Sequence, residues 1–193
     1  MHLTDKDIKI AKFAIEAMSE TTNFEDFEKN WQDFLFRIER AWESANNHAK
    51  LSGGKTQQWL SNNSALRRKD PLLRFLKHAR DAETHAVSAT IDRSVQISLA
   101  DRLGKRFALD SVSVSLEDGV LTLDVKSPNK NIDWTPSLLP GDPYLTKFKT
   151  RGQWYNPPTH HLNEKIENFH PVAIAILGLE FYKKEFIVLF DLN

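Results

Sequence analysis

Residues 70–85 read Asp70-Pro71-Leu72-Leu73-Arg74-Phe75-Leu76-Lys77-His78-Ala79-Arg80-Asp81-Ala82-Glu83-Thr84-His85, and they decide the fold class. Asp70 before Pro71 is a helix start: the carboxylate accepts from free backbone N–H groups, and proline takes the first position, where its missing N–H costs nothing. At about 100° per residue, Leu72, Phe75, Leu76, Ala79, Ala82, Ala86 and Val87 fall on one side, so a helix is expected from Pro71 to about Ala89. Opposite them, Arg74, His78, Asp81 and His85 form one polar stripe within an arc of roughly 60°.

Upstream of this helix the period stays helical. Thr4 with Asp7 is a capping-box variant for a helix over 5–19, carrying Ile8, Ala11, Ile15 and Met18. Asn23 caps a longer helix with Phe27, Trp31, Phe34, Ile38, Trp42 and Ala45 on one face, a core stripe that Ser52-Gly53-Gly54 ends. A short helix is expected around Gln57 to Asn62.

Downstream the period changes to two. Val112, Val114 and Leu116 alternate with serines, Asp118-Gly119 supplies a two-residue turn, and Leu121, Leu123 and Val125 alternate on the return. That turn predicts Leu116 opposite Leu121, Val114 opposite Leu123 and Val112 opposite Val125. Val95 to Leu99 suggests a third strand, and Ser127 to His170 a long, poorly periodic loop. A last helix begins near Pro171 and turns Val172, Ala175, Leu179, Tyr182, Phe186 and Leu189 inward. Pro171 to Phe190 is too interrupted by Glu180, Lys183, Lys184 and Glu185 for a membrane span and reads as a buried helix. The fold class is therefore mainly α, of the α+β kind. A single domain is expected, with a helical bundle over 4–92 and 168–191 and a β-hairpin and loop attachment over 93–167.

Composition narrows the function classes. The 193 residues carry 26 Lys plus Arg against 26 Asp plus Glu, which disfavours a globally basic polyanion binder. The absence of cysteine excludes disulfides, thiol catalysis and thiolate metal sites, and it fits a reducing cytoplasm. The start of the chain lacks a basic, then apolar, signal pattern, so a cytoplasmic location is expected. The charge is unevenly spread, however. Arg67, Arg68, Lys69, Arg74, Lys77 and Arg80 face one acid, Asp70, between residues 66 and 80, while residues 1–43 hold ten acids and six bases. The basic stretch is either a solvated helix edge or a phosphate-binding patch, in which Arg67, Arg68, Arg74, Lys77 and His78 would contact RNA.

Within helix 71–89, Asp81 lies one turn before His85 and can hold one ring nitrogen, leaving the other for proton transfer. Glu83 falls among apolar residues and needs a partner; Arg80, three residues earlier, is the obvious one. Arg80 is thus either half of a structural salt bridge or a phosphate ligand.

Arg80-Asp81-Ala82-Glu83-Thr84-His85 resembles the Arg-polar-x3-His signature of the HEPN superfamily, small helical-bundle proteins. The resemblance covers the first four helices and implies a metal-independent endoribonuclease of toxin–antitoxin, anti-phage or RNA-processing systems. It implies His85 as general acid or base for 2′-hydroxyl attack on phosphorus, Arg80 as stabiliser of the charged phosphorane, and Asp81 as the group orienting His85. No metal or cofactor is then needed. Because Arg80 and His85 stand about 140° apart on an ideal helix, two chains packed across it would be required, so a homodimer is expected, with an antitoxin or other protein as a further partner. The segments DPLLRFLKHARDAETH and YNPPTHHL also resemble those of a group of uncharacterised bacterial proteins, a likeness that implies no activity.

The second reading is a non-catalytic, HEPN-like interaction module. Here Arg80 and Glu83 form a structural pair, and the hairpin or the long loop binds a protein. Tyr155-Asn156-Pro157-Pro158-Thr159-His160-His161 reads as a stiff turn pinning the loop to the bundle rather than as a metal site.

Overall fold

Capping residues set the helix boundaries of the computed structural model, which describes residues 3–84, 88–101, 110–118, 120–128 and 134–192. Helix α1 spans Leu3–Glu20 and α2 spans Phe24–Ser52. Asn23, in extended backbone, accepts the Glu25 N–H at 2.9 Å and starts α2, and Gly53 at φ 70° ends it. Helix α3 runs Lys55–Lys69, longer than the short helix the sequence suggested. Asp70 then serves two helices: its N–H closes α3 on the Leu66 carbonyl at 2.8 Å, and its Oδ1 accepts the Leu73 N–H of α4, Pro71–Thr84. Residues 85–87, including His85, lie outside the described residues. Helix α5, Pro171–Asp191, is capped by His170, whose Nδ1 accepts the Val172 N–H at 3.3 Å.

The expected box at Thr4 and Asp7 is not a cap. Both residues sit inside α1 and are buried; Asp7 instead meets Arg37 at 3.3 Å and Arg40 at 3.1 Å, so a carboxylate that looked local ties α1 to α2.

The aromatic stripe of α2 is core, as its spacing predicts: Phe27, Trp31, Phe34, Ile38, Trp42 and Ala45 are all buried. Leu72, Phe75, Leu76, Ala79 and Ala82 of α4 join it, together with Leu179, Tyr182 and Phe186 of α5. At Gly178 a Cβ would stand 2.4 Å from Leu76 Cδ1, so a larger residue there would push the end of the Leu76 side chain aside where α5 meets α4.

The strands are β1 (Ile91–Asp101), β2 (Ser111–Glu117), β3 (Val120–Lys126), β4 (Trp134–Leu145), β5 (Phe148–Thr150), β6 (Gln153–Tyr155), β7 (His160–His161) and β8 (Glu164–Lys165). Among the described residues they form four two-stranded sheets, β1 with β4, β2 with β3, β5 with β6 and β7 with β8. The β2–β3 register matches the sequence reading, with Val112 opposite Val125, Val114 opposite Leu123 and Leu116 opposite Leu121. Residues 127–170 are not the irregular loop expected there. They hold β4 and two miniature hairpins whose arms are too short to show a period.

The chain divides into two compact units, Met1–Arg93 with Pro143–Asn193, and Ser94–Asp142. Residues 143–167 thus group with the helices rather than with the β2–β3 hairpin. Among the described residues no helix is long and apolar enough to cross a membrane.

Candidate functional site

Two edges of α4 meet different neighbours. The first faces α2 and is neutralised. Arg80 stands 3.4 Å from Glu43, 3.8 Å from Glu39 and 3.4 Å from Asp81, so three carboxylates surround one guanidinium. The expected Arg80–Glu83 bridge is absent because Glu83 is already taken. Its Oε1 accepts the Thr90 N–H at 2.8 Å and the Thr90 hydroxyl at 2.6 Å, and its Oε2 accepts from Gln32 at 3.1 Å. Thr90 Oγ1 in turn accepts the buried Trp31 indole N–H at 2.8 Å, which fastens the segment after α4 to α2.

Arg67, counted in the sequence among the phosphate-binding cations, is buried in the core. Its guanidinium pairs with Glu39, donates to the Tyr182 hydroxyl at 2.8 Å and lies 4.4 Å from the Trp42 ring. Burial alone would lower the Arg67 pKa, but Tyr182 and Glu39 outweigh it and hold the group charged. Burial, with Glu39 adding to it and Arg67 opposing, pushes the Tyr182 phenol up to about 12. This part of the basic stretch is structural.

The second edge of α4 carries Arg74, Lys77, His78 and Asp81, and the β5–β6 hairpin packs on it. Register puts Phe148 opposite Tyr155 on one face and Lys149 opposite Trp154 on the other. The first pair is buried: Phe148 meets Phe75 edge-on at 5.3 Å, and Tyr155 stacks on the His78 ring at 4.1 Å. Arg74 stands 6.0 Å over the Tyr155 ring. The stripe that the helical wheel turned to solvent is therefore partly covered. Burial, with Lys77, Arg151 and Arg74 near it, holds the His78 pKa below its ordinary 6.5 against the pull of Asp81.

The outer face of the same hairpin is basic and aromatic. Trp154 is 57% exposed, and the ammonium groups of Lys147 and Lys149 lie 5.3 and 6.0 Å from its ring. The turn is Arg151-Gly152, both at positive φ, 49° and 80°. Left-handed backbone is unfavourable for arginine by roughly 1–2 kcal/mol, and the Arg151 guanidinium stands 3.4 Å from Asp81. Between Trp154 and Arg74 lies a polar cleft of about 150 Å³, walled by Pro71, Asn156, Pro157 and Thr159. Arg68 and Lys69 are exposed at the end of α3.

The His160-His161 segment pins this arrangement to α4. His161 Nδ1 lies 3.0 Å from Asp70 Oδ1, and the Leu162 N–H donates to Asp70 Oδ2 at 2.7 Å. Burial would raise the Asp70 pKa, but His161 and the N–H groups of Leu162 and Leu73 prevail and hold it below the usual carboxylate value. Among the described residues no cluster of three or more His, Asp or Glu forms a metal site.

Of the expected site residues, Arg74, Lys77 and His78 share one face, Arg80 turns toward α2, and Asp81 lies between the two. Lys147, Lys149, Arg151 and Trp154 escaped the sequence reading. The signal present was an alternation of only three residues per arm around an Arg-Gly turn. No protein-family model, curated protein or solved structure matches the chain.

Proposed function

We propose that the protein binds single-stranded RNA across the outer face of the β5–β6 hairpin and the adjoining edge of α4. One observation carries this reading: an exposed Trp154 beside a polar cleft that Arg74 lines, with Lys147 and Lys149 at its ring and Arg151 in the turn of the same hairpin. An exposed indole offers a stacking platform to an unpaired base, worth about 1–3 kcal/mol per base, and flanking cations hold the phosphates on either side. Arg74, Lys77, Lys147 and Lys149 make no ion pair among the described residues, so their charge is available to a polyanion. RNA rather than DNA follows from the resemblance at Arg80 to His85.

Fluorescence anisotropy with a labelled single-stranded RNA tests the reading. Trp154→Ala is expected to weaken binding by about 1–3 kcal/mol. Lys149→Gln is expected to reduce the slope of log affinity against log salt by about 0.7. Equal affinity of wild type and Trp154→Ala overturns the proposal, and equal affinity for a labelled single-stranded DNA of the same sequence overturns its choice of RNA.

A second reading adds cleavage by Arg80 and His85 in a toxin or anti-phage setting. It is favoured by one feature: Arg80 lines an open cleft of about 160 Å³ with Gln32, Leu35, Phe36, Glu83 and Thr84, at the end of α4 that leads to His85. Against it, the three carboxylates around Arg80 oppose its use on a second anion. RNA incubated with wild type, Arg80→Ala and His85→Ala in the presence of EDTA decides: loss of cleavage in both variants supports it, and identical behaviour of all three overturns it.

A further inference from the structure

Helix α5 is apolar on its buried side and also on its outer one. Ile187 is 62% exposed and Ile176 46%, with Leu177 and Val188 beside them. Asp191 in the last turn aside, the exposed positions of the helix are Ile176, Leu177, Glu180, Lys184, Ile187 and Val188, and at about 100° per residue they occupy a single arc of about 120°.

Their order along the helix is palindromic. Each has a counterpart at the same distance on the other side of Tyr182: Ile176 and Val188, Leu177 and Ile187, Glu180 and Lys184. An antiparallel pair of such helices, related by a two-fold axis at Tyr182, places apolar residues against apolar ones and each Glu180 against a Lys184. Within its own chain Glu180 is met by Lys183 at 2.9 Å, whereas Lys184 has no carboxylate partner among the described residues. Grooves of about 440 and 310 Å³ between α5 and α1, and one of about 360 Å³ toward β8, border this ridge. A ridge between grooves is the surface that an opposed helix fills.

We propose that the exposed face of α5 is a self-association surface, on which a second copy of this chain docks antiparallel with Glu180 of one copy paired to Lys184 of the other. An unrelated partner has no need of a pattern symmetric about one residue; a two-fold interface does, because the same patch must complement itself. The charged pair at the centre sets the register, since a helix sliding by one turn loses both pairs and leaves charges against leucine and isoleucine. This surface is distinct from the outward stripe of α4, part of which Tyr155 already covers.

Sedimentation velocity of the full chain tests the proposal. Wild type is expected at twice the 22.2 kDa of one chain. Glu180→Lys and Lys184→Glu each bring like charges together and are expected to raise the dimer dissociation constant at least about tenfold. An equimolar mixture of these two variants restores opposite charges at both contacts and is expected to recover the dimer, as is the double variant E180K/K184E. A monomeric wild type overturns the proposal, and so does a dimer that neither single variant weakens. Failure of the mixture to reassociate when both single variants are monomeric overturns the antiparallel register. All four samples change only exposed positions, and unchanged helicity by circular dichroism accompanies a valid comparison.

Discussion

The two edges of α4 carry similar residues and have different fates. Toward α2, Arg80 is enclosed by Glu39, Glu43 and Asp81, and the nearby Arg67 is sunk into the core on Glu39 and Tyr182. Toward the β5–β6 hairpin, Arg74 and Lys77 make no ion pair among the described residues, and the hairpin itself brings Lys147, Lys149 and Arg151. A count of cations along the sequence therefore misplaces the basic face. Two of the six between residues 66 and 80 are neutralised by carboxylates from α2 or Asp81, and three others arrive from about seventy residues away in the chain.

Substitutions on each edge should separate stability from binding. The largest effect is expected at Arg67: Arg67→Ala leaves the buried Glu39 with only Arg80, 3.8 Å away, and should cost about 3–5 kcal/mol in urea unfolding, whereas Arg67→Met with Glu39→Leu should recover most of it. A loss below about 1 kcal/mol for Arg67→Ala would show that this edge is not structural. Asp70→Ala removes the α4 cap and the anchor for His161 and Leu162, with an expected cost of about 2–3 kcal/mol. Because the folded Asp70 holds its proton less tightly than the unfolded one, its contribution is complete above its ordinary 3.8 and is lost as pH falls through the lower folded value. Acid titration of Asp70→Asn should lack that component.

On the other edge, Trp154→Ala should leave stability within about 0.5 kcal/mol, as expected of an exposed side chain, while reducing RNA affinity as described above. A matching loss of stability would assign Trp154 to the fold instead. The smallest effect is expected at His78. Its folded pKa lies below 6.5, so below that pH the unfolded chain binds more protons and stability falls as pH drops toward the folded value. His78→Phe keeps the stack on Tyr155 and should flatten urea midpoints compared at pH 7.5 and 5.5.

Much of the helical framework was legible. Asn23 and Asp70 cap where their side chains predict, and the stripe of α2 and that of α4 as far as Ala82 bury the expected residues. The β2–β3 register followed from Asp118 and the alternation around it. These features are local: a cap reaches two or three residues, a period repeats over one face, and a two-residue turn fixes its own ladder. Three of the errors share one cause. Asp7 looked like a cap and bridges to α2; Glu83 looked like the mate of Arg80 and holds Thr90; residues 146–166 looked irregular and form two hairpins. In each, partners distant in sequence outcompeted near ones.

The sequence by itself determined that this chain is mainly helical, where α2, α4 and α5 begin, which face of α2 and α4 is apolar and how one hairpin is registered. Only the tertiary structure decided which cations are neutralised, that Phe148 and Tyr155 seat a basic, tryptophan-bearing hairpin on α4, and that α5 keeps an apolar face outward. The physical reason is range. Backbone hydrogen bonding and side-chain period act over a few residues, whereas burial and ion pairing depend on which surfaces meet, and the strength of a charge depends on what stands within about 4 Å of it.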